Sequence, residues 1–265
     1  MNQDVKPNLP VPPASRTGLN VLITGAAGGM CLGINKRLAA AGHTLVCVDL
    51  DLERCRAAVD ELRAEGFTAY AFAADVTQQD DVELLRREVK DTVGEIHALI
   101  NAAGILDRKM LLDHDVESFS RAIDINLVGP FALIRAFAED LLAANWGRIV
   151  NVSSIAGTTG YPYPSYASSK AGLSNLTRSL LMDFWGTGIT VNSVCPGVVD
   201  TPMVIQEVRD QVPSKVPTGR IVEPDEIGAL IAFLLTEDAR SINGADLIID
   251  GGATQVFRLF DPAQG

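Results

Sequence analysis

A tyrosine and a lysine, four residues apart, could together transfer a proton. Tyr166 and Lys170 lie in a segment with a helical pattern, so both side chains can lie on one face of the helix. A free phenol has a pKa of ~10, which is too high for a base at neutral pH. Because a nearby ammonium stabilises the phenolate, we expect Lys170 to lower the pKa of Tyr166.

Seven apolar segments, separated by helical patterns, indicate the elements that position this pair. They lack the alternation of a half-exposed sheet, which is typical of strands covered on both faces. The predicted strands lie at residues 19–25, 44–49, 68–75, 96–104, 147–154, 189–197 and 245–250, and predicted helices lie near 52–64, 79–92, 118–144, 166–185 and 224–236. The sequence therefore predicts an α/β fold, a Rossmann-like doubly wound seven-stranded parallel sheet with helices on both faces.

A single catalytic domain is expected over residues 19–252, because neither a linker nor an internal repeat interrupts this alternation. Residues 1–18 contain four prolines, which predict a flexible N-terminal arm. Residues 253–265 would form a C-terminal tail. The segment near 202–222 lacks a clear period, as is typical of a substrate loop, although an idle surface excursion is the alternative.

Charge and composition argue against several classes of function. The 22 Lys and Arg against 33 Asp and Glu give a net charge of −11, which repels nucleic acid and anionic membrane surfaces. No segment has the apolar length of a membrane span, and the start lacks the apolar region of a signal peptide. The four cysteines lack metal-type spacing, so we expect reduced thiols in a cytoplasmic protein.

Metal and serine-hydrolase chemistry also lack support. His43, His97 and His114 stand apart in the sequence, with no HExxH motif and no carboxylates at ligand spacing, so no metal site is expected. No GxSxG motif is present either. The three histidines are interpreted as surface or core residues.

A glycine-rich turn follows the first predicted strand and opens the first helix. The turn from Thr24 to Gly29 offers free amides and the positive end of a helix to a pyrophosphate. Asp49 ends the second strand twenty residues after Gly29, where a carboxylate accepts hydrogen bonds from ribose hydroxyls and repels a 2′-phosphate. We therefore expect NAD rather than NADP, and interpret Arg54 and Arg56 as solvated helix charges.

The order of these motifs resembles that of the classical short-chain dehydrogenase/reductase family. The matching residues are Thr24-Gly25 with Gly29, Asp75, Asn101-Ala102-Ala103-Gly104, Ser154, Tyr166 with Lys170, and Pro196-Gly197. The resemblance extends from about residue 19 to 252, nearly the whole chain. It implies an NAD-dependent enzyme that interconverts a secondary alcohol and a ketone.

The resemblance also implies a role for each matched residue. Tyr166 would be the general acid/base on the substrate oxygen, and Lys170 would tune it and hold the nicotinamide ribose. Ser154 would orient the substrate oxygen, and Asn126 would hold a water that links Lys170 to solvent. The implied cofactor-binding residues are Gly25, Gly29, Met30, Asp49, Asp75, Val76, Asn101, Gly104, Tyr166, Lys170, Pro196, Gly197, Val199 and Thr201. For Asp75, a helix N-cap or a turn carboxylate is the alternative.

Two features depart from the family pattern. Cys31 occupies the position of the third glycine in TGxxxGxG, and a Cβ there predicts weakened rather than abolished NAD binding. Tyr166 lies twelve residues after Ser154, whereas thirteen is frequent in the family and Ser153 would restore that spacing. The Ser-Ile-Ala-Gly context favours Ser154, so the shortening is expected within residues 160–164.

The expected pocket walls are largely apolar and indicate a hydrophobic or cyclic secondary alcohol. They are Ile105, Leu106, Tyr161, Tyr163 and the segment from Met203 to Val216. One alternative is a 3-oxoacyl reductase of the same family, which Asp49 and the net charge oppose. Another is a non-catalytic NAD-binding redox sensor, which Cys31 favours and the intact Ser154, Tyr166 and Lys170 oppose.

Assembly is implied only by the resemblance. It suggests a homotetramer in which the helices near 118–144 and 166–185 pack between subunits and the tail reaches a neighbour.

Overall fold

The computed structural model describes residues 18–202 and 204–256. The predicted tail from residue 257, the arm before Gly18, and Met203 of the expected pocket wall lie outside the described residues. The seven predicted strands form one parallel sheet in the order β3-β2-β1-β4-β5-β6-β7. They are β1 (Asn20–Thr24), β2 (Thr44–Asp49), β3 (Ala69–Ala73), β4 (Ala98–Asn101), β5 (Trp146–Val152), β6 (Gly188–Pro196) and β7 (Asp246–Ile249). The predicted α/β fold is confirmed.

Helices cover both faces of the sheet, as the unbroken apolar strands require. They are α1 (Gly29–Ala40), α2 (Leu52–Ala64), α3 (Gln79–Thr92), α4 (Val116–Ile123), α5 (Gly129–Ala144), α6 (Pro164–Ser179), α7 (Gln206–Gln211) and α8 (Pro224–Leu234). The buried side chains of α1, α2 and α8 form one apolar core with the sheet, and those of α3 and α5 form the other. None of the described helices has the length and apolarity needed to cross a membrane.

Two predicted helices have different bounds. The long helix expected at 118–144 is two helices, α4 and α5, joined by a π-helical turn at Asp124–Val128. The helix expected at 166–185 begins two residues earlier because Pro164 is well suited to the first helical turn, and it ends at Ser179. The segment expected as a loop at 202–222 contains α7. Its two ends are brought together because Val199, just before the segment, pairs with Val222 at its end.

The strand order places a crevice between β1 and β4. β1 lies inside the sheet and pairs with β2 on one side and β4 on the other, so the connections leave in opposite directions at the carboxyl end of the sheet. Ligands bind at such a switch point in doubly wound folds. Gly25 lies there with φ +67°, and a Cβ on it would be 2.8 Å from the Cα of Ala103 after β4. Glycine is therefore needed at this position for both its conformation and its lack of a side chain.

Candidate active site

Helix α6 presents the tyrosine and lysine to the carboxyl end of the sheet. Tyr166 is in its first turn, and the buried Lys170 is one turn further on, with its Nζ 5.8 Å from the centre of the Tyr166 ring. The Nζ donates a hydrogen bond to the carbonyl of Val152, the last residue of β5 (2.8 Å). The predicted pair is therefore held on one face, next to the crevice.

Burial controls the protonation of both groups. It lowers the pKa of Lys170 to about 8, because desolvation disfavours the ammonium. It also raises the pKa of Tyr166, with a hydrogen bond to Ser154 acting in the opposite direction. The expectation that Lys170 brings the pKa of Tyr166 below its ordinary value is therefore wrong for the described chain, since desolvation of the phenolate has the larger effect.

The two serines after β5 face different partners. Ser154 faces the Tyr166 phenol, whose pKa it lowers, and its hydroxyl accepts from the amide of Ala156 (3.1 Å). Ser153 is turned the other way: its hydroxyl donates to the carbonyl of Lys170 (2.9 Å) and lies 3.0 Å from the hydroxyl of Ser174. Ser154 is thus the serine that the structure brings to the tyrosine.

Asn126 is fully buried in the π-helical turn, and its side chain fastens the loop after β4. Its Oδ1 accepts from the amide of Ile105 (2.8 Å), and its Nδ2 donates to the carbonyl of the same residue (2.9 Å) and to Ser169 (2.9 Å). Gly104 lies between this amide and the lysine, since a Cβ on it would be 3.1 Å from Asn126 Oδ1 and 3.3 Å from Lys170 Nζ. Three of the predicted residues therefore meet at one point.

The turn between β1 and α1 has the features of an anion cradle. Its N-cap residue, Gly28, has no side chain that could accept a hydrogen bond from the amides of the first helical turn. These amides also have no acceptor within their own helix. Met30 follows in that turn and is partly buried. Gly29 faces the loop after β6, where a Cβ on it would meet Pro202 at 2.7 Å and Thr201 at 3.3 Å. A phosphate fits this donor set.

Asp49 is the last residue of β2, beside this turn, and Asp75 follows the adjacent strand β3. Asp49 accepts from the amides of Ala27 (Oδ2, 3.0 Å) and Asp51 (Oδ1, 3.2 Å), so its carboxylate is fixed at the edge of the glycine-rich turn. Asp75 accepts from the amide and the hydroxyl of Thr77 (2.9 and 2.7 Å). Asp75 is therefore a turn carboxylate, which was the alternative to a cofactor-binding role for this residue.

Arg54 is not simply a solvated helix charge, as the sequence suggested. Its Nη2 donates to the carbonyl of Ala27 (3.2 Å), the residue whose amide donates to Asp49. Arg56, in contrast, pairs with Glu53 on the exposed side of its own helix. A cation and a carboxylate thus lie together at the glycine-rich turn, which no spacing in the sequence indicates.

The remaining predicted residues surround the same crevice, although several are buried behind it. Asn101 donates to Asn151 across β4 and β5 (2.8 Å), and Val76 packs in the core beside Gly129. After β6, Gly197 lies against Asp250. Pro196 ends β6, Val199 pairs with Val222, and Thr201 accepts from Arg209 (2.8 Å).

Comparisons with known proteins identify the family. Residues 25–254 match the family described as Enoyl-(Acyl carrier protein) reductase. The chain is 36% identical to an acetoacetyl-CoA reductase from Allochromatium vinosum over 87% of this chain and 96% of that one. It is 34% identical to a cyclohexanol dehydrogenase from an Acinetobacter species over 88% and 94%. A solved short-chain type dehydrogenase/reductase from Mycobacterium marinum has a TM-score of 0.85 at 29% identity, over 90% of this chain and 96% of that chain.

The chain belongs to the short-chain dehydrogenase/reductase family. It is therefore an oxidoreductase, and the cofactor of its family is NAD or NADP. The glycine-rich turn, the open first turn of α1 and Asp49 fit the pyrophosphate and adenosine ribose of such a dinucleotide.

Cys31 is accommodated in this short-chain dehydrogenase/reductase without filling the cofactor crevice. Its side chain is 2% exposed, packs in the apolar core, and donates a weak hydrogen bond to the carbonyl of Thr24 (3.9 Å). Helix α1 approaches the start of α8 closely at Gly33, where a Cβ would lie 2.6 Å from the Cβ of Pro224. Burial raises the pKa of the Cys31 thiol to about 12, so the thiolate is disfavoured.

We expect Cys31→Gly to reduce stability rather than to tighten NAD binding. The variant loses buried contacts and gains the flexibility of a helical glycine, so the free energy of unfolding should fall by about 2 kcal/mol. Urea unfolding measures this loss, and Cys31→Ala, which keeps the Cβ, should lose less. Tighter NAD binding by calorimetry in the glycine variant, with unchanged stability, would contradict this assignment.

Proposed function

We propose that the enzyme interconverts a secondary alcohol and a ketone, that its substrate is apolar or cyclic, and that NAD(H) is its cofactor. The observation that carries the proposal is that one helix, α6, presents Tyr166 and the buried Lys170 together, with the Lys170 Nζ 5.8 Å from the centre of the Tyr166 ring, and that Ser154 lies near enough to the phenol to lower its pKa. The three groups lie at the carboxyl end of the sheet, beside a turn that fits a dinucleotide. An alcohol oxygen that binds between the serine and the tyrosine has both a hydrogen-bond partner and a proton acceptor.

Tyr166, Ser154 and Lys170 have different roles in alcohol oxidation. Tyr166 takes the proton of the substrate hydroxyl while the carbon loses a hydride. Ser154 holds the substrate oxygen, and Lys170 stabilises the phenolate and would hold the nicotinamide ribose. The nicotinamide supplies the hydride acceptor or donor. In ketone reduction Tyr166 returns its proton to the oxygen.

Asn126 supports this arrangement, because it hydrogen-bonds Ile105 of the loop after β4 and Ser169, the residue directly before Lys170. We propose that it also holds the water that connects Lys170 to solvent.

The aromatic residues before α6 favour a cyclic or apolar substrate. The Tyr161 ring lies 6.3 Å from the Tyr166 ring and 5.9 Å from the Tyr163 ring. Tyr163 adopts a left-handed conformation (φ +71°) at the start of the helix, which costs a non-glycine residue free energy and is found mainly where a site requires it. The cyclohexanol dehydrogenase relative has a cyclic alcohol in its name, which supports the same choice.

A panel of alcohols and ketones tests the proposal. With NAD, cyclic secondary alcohols should produce NADH, followed by its absorbance, at a higher kcat/KM than short linear alcohols. Turnover of 3-oxoacyl thioesters alone would favour the reductase alternative, which the acetoacetyl-CoA reductase relative supports and Asp49 opposes. NAD binding without turnover of any panel member would favour the redox sensor, which the burial of Cys31 opposes.

The pH dependence should differ between the two directions. Oxidation needs the phenolate, and burial raises the pKa of Tyr166 above its ordinary value of ~10, so kcat/KM for oxidation should rise with pH from the neutral range and reach no plateau below about pH 10. Reduction needs the protonated phenol, so its kcat/KM should be constant near neutral pH and fall at higher pH. Parallel profiles for the two directions would contradict the assignment of the proton to Tyr166.

We also propose a homotetramer. Support comes from exposed apolar side chains on or next to α5 and α6, the helices that the family resemblance places between subunits. They are Val128 and Phe131 near the start of α5, and Met182 (72% exposed) and Trp185 (80%) after α6. Val128 and Phe131 line one surface groove together with Leu176 of α6, and an exposed apolar patch is typical of an interface. Light scattering at four times the chain mass is the expected result, and a monomer would contradict it. A cytoplasmic location stays a prediction.

A further inference from the structure

We propose that His114 is a positioning residue that fixes the β4–α4 loop, residues 102–115, against the first turn of α6. The Nε2 of His114 lies 3.2 Å from the hydroxyl of Ser165, the residue immediately before Tyr166. Its Nδ1 lies 3.3 Å from the hydroxyl of Ser118 on α4. One imidazole therefore joins the end of the loop to two helices. This inference rests on the proposed function, because it concerns the same substrate site.

The hydrogen bonds around His114 are consistent with one neutral tautomer. The Ser118 hydroxyl donates to the carbonyl of Asp115 (3.2 Å), so it accepts from the imidazole N–H at Nδ1. The Nε2 then carries a lone pair, which accepts the hydroxyl proton of Ser165. Ser165 is fully buried, and a buried hydroxyl without a partner is costly. The contact is therefore specific to the ring and does not result from packing alone.

The surroundings also fix the ring. Its side chain is buried, and the edge of the Phe119 ring meets it with the ring centres 6.0 Å apart. Asp107 of the same loop lies 3.9 Å from Nδ1. Lys109 lies 3.5 Å from Asp107 and 3.7 Å from Asp115, so the charged residues of the loop converge at its His114 end.

The loop is thereby held at two points. Asn126 fastens Ile105 at its start, and His114 fastens its end to the helix that carries Tyr166. Between these points Leu111 and Leu112 are 75% and 96% exposed, so little packing holds this stretch in place. The position of the stretch between these two points, relative to the helix that carries Tyr166, therefore depends on the His114 contact.

Sequence analysis missed this role, and a lone histidine offers no spacing that indicates it. Its second partner, Ser165, is 51 residues away in the sequence.

Two substitutions separate the two contacts of the ring. In His114→Gln the terminal amide can reach Ser165, as Nε2 does, whereas in His114→Asn the shorter amide can reach only Ser118. His114→Leu removes both contacts and keeps the apolar packing. For a cyclic alcohol that the wild type turns over, we expect KM to rise about 3- to 10-fold in the Leu and Asn variants, the effect of one hydrogen bond. The Gln variant should keep a KM close to that of the wild type.

The other readouts distinguish positioning from a general structural role. The kcat value and the Kd for NAD should change less than about 2-fold in all three variants. In a double-mutant cycle, Ser165→Ala should raise KM as His114→Leu does, and the double variant should not exceed either single variant. Additive effects, equal KM values in the Gln and Asn variants, or a lower Tm with unchanged KM would each overturn the proposal.

Hydrogen exchange provides a test that needs no turnover. Measured by mass spectrometry, the amides of residues 105–113 should exchange faster in His114→Leu than in the wild type, and His114→Gln should restore the slow exchange. If no alcohol is turned over but this pattern is found, the proposed function fails and the anchoring role stands. If alcohols are turned over and exchange in this loop is unchanged, the anchoring role fails and the function stands.

Discussion

Replacing Tyr166 by Phe should lower kcat about 10²- to 10⁴-fold in both directions, while the Kd for NAD changes little. The substitution removes only the phenol oxygen, so the ring still packs beside Tyr161 and α6 keeps its start at Pro164. A positioned acid/base contributes an effect of this size. Without it, water must accept the hydroxyl proton during oxidation and must supply the proton during reduction.

Steady-state kinetics with NAD and a substrate from the alcohol panel measure this loss. Tyr70→Phe is the matched control, because it makes the same chemical change on the edge strand β3, where the ring lies beside Arg63. The control should retain full activity. A Tyr166→Phe enzyme with more than about a tenth of the wild-type kcat would contradict the proposed mechanism.

The fold could be predicted because the five inner strands β2, β1, β4, β5 and β6 are buried on both faces. Runs such as the one from Leu45 to Val48 leave no other arrangement that keeps every side chain from water. The interruption between α4 and α5 could not be predicted. Its residues continue a helical pattern, and the π-helical turn depends on where Asn126 must point in the folded chain.

The candidate site was predictable in its members but not in its electrostatics. Tyr166 and Lys170 meet because they share one helix, which is a local relation. Whether the pKa of Tyr166 is raised or lowered depends on how deeply the folded chain buries the phenol, and this depth is a property of the tertiary structure. Likewise, spacing favours Ser153 and sequence context favours Ser154, and the extended chain after β5 gives their hydroxyls different partners.

Asp49→Asn should reduce the preference for NAD over NADP by about 10- to 100-fold. The carboxylate lies at the glycine-rich turn, where it repels a 2′-phosphate. Two unit charges about 4 Å apart interact by about 4 kcal/mol at an effective dielectric constant of ~20, and partial exposure of Asp49 reduces this effect. The asparagine oxygen can still accept from the Ala27 amide, so the turn should keep its shape.

Arg54 should contribute to this change, because its guanidinium contacts the same turn through the carbonyl of Ala27. With the Asp49 charge removed, Arg54 becomes the nearest charge and attracts the added phosphate. The NADP affinity gained in Asp49→Asn should therefore fall in the double variant Asp49→Asn, Arg54→Gln.

Dissociation constants for NADH and NADPH, measured by fluorescence, decide between a local and a general charge effect. Asp51→Asn is the control, because it removes the same charge two residues away and asparagine caps the start of α2 as well as aspartate does. A local effect changes the ratio of the two constants only in the Asp49 variant. Equal changes in both variants would mean that the net charge of −11 disfavours NADPH, and Asp49 would then not select the cofactor.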